Sequence, residues 1–63
     1  MSHWRVTLTS TDVIVVERNG TAVTRSVDVF SGALTISTLD KDDNLLESRI
    51  FAPGAWKEVH YVA

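Results

Sequence analysis

The chain has 63 residues, a formal net charge of −2 and no cysteine. That length leaves room for one domain around one core, and the lack of cysteine excludes disulfides and thiolate metal sites as sources of stability. Six basic residues are scattered among eight acidic ones, never three within five positions. This argues against nucleic acid or an anionic membrane as partner, since both select clustered cations.

A domain this small buries roughly 60% of the surface its unfolded chain exposes, so burial and ordering entropy nearly cancel. With disulfides excluded, a partner subunit is the expected source of additional stability. No apolar stretch reaches the ~20 residues needed to span a bilayer. Residues 1–5 lead straight into a strand pattern without a signal-peptide core, and a soluble cytoplasmic protein is expected.

Residues 3–9 alternate, with Trp4, Val6 and Leu8 on one face and His3, Arg5, Thr7 and Thr9 on the other, the period of a half-buried strand. Ser10-Thr11-Asp12 is turn material. Residues 13–18 form a second strand and residues 21–30 a third, joined by Asn19-Gly20. Asn and Gly tolerate the positive φ of a type I′ turn, so a two-residue hairpin loop is expected there. That loop would set Val16 opposite Val23 and Ile14 opposite Arg25, with Arg25 interrupting the apolar face of Val23, Val27 and Val29. Asn19-Gly20-Thr21 also matches a glycosylation sequon, but the hairpin reading is preferred.

Ser31-Gly32 breaks the third strand, and residues 33–39 alternate again, with Leu34 and Ile36 apart from Thr35 and Ser37. Residues 40–44, Asp-Lys-Asp-Asp-Asn, form a charged turn. Residues 45–52 return with Leu46, Ser48, Ile50 and Ala52 on one face and Glu47, Arg49 and Phe51 on the other. Pro53-Gly54 favours a tight turn. Residues 55–62 favour a strand by their Trp, Val and Tyr content, a short helix being the alternative. The expected fold is all-β: a single antiparallel meander of five to six strands over residues 1–63, in an open barrel or sheet. It should dimerise, and local connections imply low contact order.

An N-terminal strand carrying a Trp, an Ala-Leu strand after a Gly, the segment Phe51-Ala52-Pro53-Gly54-Ala55-Trp56 and a short Val-rich end run through most of the chain. In these features it resembles small uncharacterised proteins of actinobacteria and their phages. The resemblance implies an accessory or phage-encoded origin and supplies no site residues.

No phosphate loop, nucleophile elbow or zinc-protease helix is present, and so small a domain has little volume for a buried active site. A non-enzyme without cofactor is expected. His3 and His60, on the first and last strands, could approach one another beside Asp12 or Glu58, but their spacing matches no metal motif. Asp40, Asp42, Asp43 and Asn44 alternate oxygen donors without the glycine or distal glutamate of a calcium loop. No metal site is assigned. Trp4, Phe30, Phe51, Trp56 and Tyr61 are the large anchors, and those left outside the core would serve as contact residues.

The leading expectation is a non-catalytic protein-binding module, under the phage resemblance an inhibitor of a host or defence protein, that also associates with itself. The assigned binding residues are Trp4, Arg5, Arg49, Trp56 and Tyr61, with Trp4 or Trp56 at the self-interface. The alternative is an oligomeric nucleotide-binding protein in which Arg5, Arg18, Arg25 or Arg49 clamps phosphate and Trp4, Trp56 or Tyr61 stacks on the base.

Overall fold

The computed structural model describes residues 2–63; Met1 lies outside them. Every regular element is a strand: β1 (His3–Leu8), β2 (Val13–Glu17), β3 (Asn19–Gly20), β4 (Val23–Phe30), β5 (Ala33–Asp40), β6 (Leu45–Phe51) and β7 (Trp56–Val62). The strand alternative for residues 55–62 therefore holds. Among the described residues no helix is long and apolar enough to cross a membrane.

Two antiparallel sheets result, with strand orders β2-β1-β7 and β3-β4-β5-β6, and they do not close into a barrel. Strands β2 and β3 belong to one extended run that changes sheets at Arg18. The Arg18 N–H donates to the Ser2 carbonyl at 3.1 Å, and its own carbonyl accepts from Arg25 N–H at 2.7 Å. One residue thus ties both sheets together, as a strand does at a corner.

Alternation places the core. On β1, Trp4, Val6 and Leu8 point inward, and the register sets Val16 beside Trp4 and both Ile14 and Val59 beside Val6. On β5, Leu34 and Ile36 point inward, flanked by Val29 and Val27 of β4. Val6, Val16, Leu34 and Ile36 are buried where the inner faces meet, with Trp4, Leu8, Ile14, Val27, Phe51, Trp56 and Val59 packed around them. The inward sets expected on β1 and β5 are those observed.

The hairpin at Asn19-Gly20 is not. Those two residues pair with Thr24 and Val23, and the loop falls on Thr21-Ala22, where Ala22 takes the positive φ of 59°. Gly20 instead allows close packing: a Cβ there would lie 2.8 Å from Val23 Cγ2 and 3.2 Å from Arg25 Nη1. The turn has moved by two residues, which preserves the parity of every side chain while changing every pair. The whole Val13-to-Val16 run then pairs with β1 rather than with β4.

The pattern of a type I′ turn appears one hairpin later. Ser31 (φ 52°) and Gly32 (φ 83°) both have positive φ between the paired Phe30 and Ala33, which is the sign pattern that turn requires. Two other hairpins share a three-residue design. Thr11 N–H closes on the Leu8 carbonyl and Asp43 N–H on the Asp40 carbonyl, with Thr11 (φ 74°) and Asp43 (φ 64°) in the left-handed region. At Pro53-Gly54, Ala55 N–H donates to the Ala52 carbonyl and Gly54 has φ 89°, as in a type II turn with Pro first and Gly second.

Candidate binding groove

At the corner where β2 passes into β3, residues Trp4, Arg18, Thr24, Arg25, Ser26 and Tyr61 line an open groove of about 440 Å³. Each arrives for a local reason. Trp4 and Tyr61 are cross-strand partners on the inner face of β1 and β7, and their rings meet at 5.2 Å, tilted by 51°. Arg18 is the corner residue, and its backbone bond to Arg25 sets the two arginines opposite each other.

Two like charges directly opposite repel, and the groove answers this only in part. Arg18 Nη1 donates to the Tyr61 hydroxyl at 3.1 Å, and Arg25 Nη1 donates to the Glu17 backbone carbonyl at 3.2 Å. Among the described residues neither guanidinium has a carboxylate partner. Hydrogen bonds with the side chains of Ser2 and Arg18, and the nearby Arg18 charge, hold the Tyr61 phenol below its ordinary value. The site therefore joins two aromatic faces and two forked cations. Chemically, such a set offers forked hydrogen-bond donors beside ring faces.

Of the five residues assigned from sequence, the structure brings Trp4 and Tyr61 together. Arg5 stands exposed on the outer face of β1, opposite Val15 and His60. Trp56 lies at the other end of the inner face, beside Leu8, and its Nε1 donates to the Gly32 carbonyl at 3.0 Å. Arg49 is on the edge strand β6, its guanidinium 5.4 Å from the centre of the Phe51 ring. The groove is completed by Arg18 and Arg25, and the signal for Arg25 was its break in the apolar face of its strand.

Strands β1 and β7 do pair, but His60 faces Arg5 and His3 faces Val62, so the imidazoles are not direct partners. In the charged turn the Asp40 carboxylate accepts from Asp42 N–H (2.8 Å), Asn44 N–H (2.9 Å) and Asn44 Nδ2 (3.2 Å). Its lone pairs are spent on closing the turn. Among the described residues no three His, Cys, Asp or Glu side chains are placed to hold a metal ion.

Comparisons with protein-family models, curated proteins and solved structures return no match.

Proposed function

We propose that the chain is a non-catalytic, cytoplasmic protein-binding module that self-associates and captures an acidic segment of a partner protein in the groove. The observation that carries this reading is the meeting of Trp4, Tyr61, Arg18 and Arg25 in one concavity. Trp, Tyr and Arg are the residue types that dominate binding energy at protein interfaces. A partner Asp or Glu between the guanidinium groups would relieve their mutual repulsion and make forked, charge-assisted hydrogen bonds. An adjacent apolar or aromatic side chain would lie on Trp4 and Tyr61. Under the phage resemblance that partner is a host or defence protein, and the captured segment is part of what is inhibited.

The same cations and rings support a second reading, a mononucleotide with phosphate on the arginines and base on the rings, and the volume lies in the ordinary range for small ligands. One titration separates the two. The chain contains two tryptophans, so the Trp4 indole N–H resonance reports the groove while that of Trp56, tied to Gly32, serves as internal control. A peptide carrying Asp-Glu beside Phe should shift Trp4 alone and saturate, and Arg25→Gln should weaken that binding about tenfold, a charge-assisted bond's worth. A shift with adenosine monophosphate and none with the peptide would install the nucleotide reading. Silence with both would leave the groove without a ligand and overturn the proposal.

A further inference from the structure

Strand β6 is the free edge of the four-stranded sheet, and it carries Leu45, Leu46 and Ile50 at 61%, 58% and 70% exposure. Its sequence, Leu46-Glu47-Ser48-Arg49-Ile50, is a physical palindrome about Ser48. In an antiparallel pairing of two such strands with Ser48 on the two-fold axis, each Leu46 faces Ile50 of the second copy. Each Glu47 likewise faces Arg49 of the second copy. We infer that β6 is a homodimerisation edge, joining two copies of this chain into one continuous eight-stranded sheet with Ser48 at its centre.

Three observations support that occupant. Among the described residues Glu47 has no charged partner in its own chain, and Arg49 has only the Phe51 ring, so both charges are available. From Glu47 to Phe51 the alternation is consistent with the pairing: Glu47 and Arg49 share one face of β6 with Phe51, and Ile50 lies on the other, while Leu46 sits at the bulge where the β5 register shifts. Opposite residues in a continued sheet share a face, so apolar meets apolar and acid meets base. The charges also exclude neighbouring registers. Centring the axis on residue 47 would put two glutamates opposite each other, and centring it on residue 49 would oppose two arginines. Charged side chains commonly guard an edge against indiscriminate pairing; here the guards favour the register centred on Ser48 over its immediate neighbours, in a closed two-fold contact.

The inference rests on the self-association in that reading, but this surface is separate from the groove, which lies across the sheet beside β3 and β4, so peptide capture and dimerisation fail independently. The test is a charge exchange followed by sedimentation equilibrium. Glu47→Arg and Arg49→Glu should each weaken the dimer about tenfold or more, because each turns two attractive cross-strand pairs into repulsive ones. The double variant E47R/R49E should restore it to within about threefold of the unmodified chain, while Arg25→Gln should leave it unchanged. Circular dichroism should show unaltered strand content in all of them, since both positions are exposed. A monomer at about 100 μM for the unmodified chain, single exchanges without effect, or a double exchange that fails to rescue would each overturn the inference.

Discussion

Thr11 is β-branched and yet has a φ of 74°, a region where its Cβ crowds the carbonyl that follows and where bulky residues are rare. Asp43 occupies the equivalent position of the other three-residue hairpin at φ 64°, but short polar side chains tolerate that region better. Thr11→Gly should therefore stabilise the fold by about 0.5 kcal/mol, the relief of strain less the added flexibility of the unfolded chain. Asp43→Gly should gain less. Urea midpoints measured side by side check the ordering. Asp40 is set by its hydrogen bonds: the Asn44 N–H first, then the Asp42 N–H and the Asn44 side-chain amide outweigh partial desolvation and hold its carboxyl below the ordinary value. A carboxyl depressed in the folded state contributes stability that is complete above its unfolded value and is lost as pH falls through the lower folded value. The loss caused by Asp40→Ala should thus be larger at neutral pH than at about pH 3. Equal losses at both would show that the turn does not depend on the carboxylate.

Single strands were legible because alternation is local: Trp4, Val6 and Leu8, or Leu34 and Ile36, can be sorted by face without knowing their neighbours. Pairing is a different kind of information. The preference of Asn-Gly for a hairpin loop is a local bias, and here it yields to packing, since Gly20 is needed where Val23 and Arg25 crowd the backbone. Gly20→Ala should consequently destabilise by about 1 kcal/mol through overpacking, without any contribution from φ. A loss of the Arg25–Glu17 contact should accompany it, read as a changed Arg25 side-chain resonance. An unchanged midpoint would mean that Val23 can turn aside freely. The same limit explains the groove. Arg25 was visible as a flaw in an apolar face, but only the corner at Arg18 shows that the flaw is one wall of a concavity, and no pattern along one strand encodes a strand that changes sheets.

At the scale of the molecule, the radius of gyration of 11.7 Å exceeds the roughly 10.6 Å expected for a compact chain of this length. The extents of 33 × 23 × 15 Å describe a slab two sheets thick. Among the described residues four hydrophobic side chains are buried, whereas Val13, Val15, Val29, Phe30, Leu45, Leu46, Ile50 and Tyr61 are exposed. A slab so thinly filled gains from covering a face, and the melting temperature should rise with protein concentration, as mass action requires when a folded oligomer unfolds to monomers. A concentration-independent melt would mean that the thin core suffices alone. The pairing of β1 with β7 reverses the expectation of uniformly local contacts, for it joins the two ends of the chain. Every hairpin from β3 to β6 can form as soon as its own residues meet. The central strand β1 must instead wait for β7, across a closure whose entropy grows with the length spanned. On a ribosome, the four-stranded sheet would have all its strands while Val6 and Trp4 still had an open flank. Strand β7, once made, would then shut β1 in.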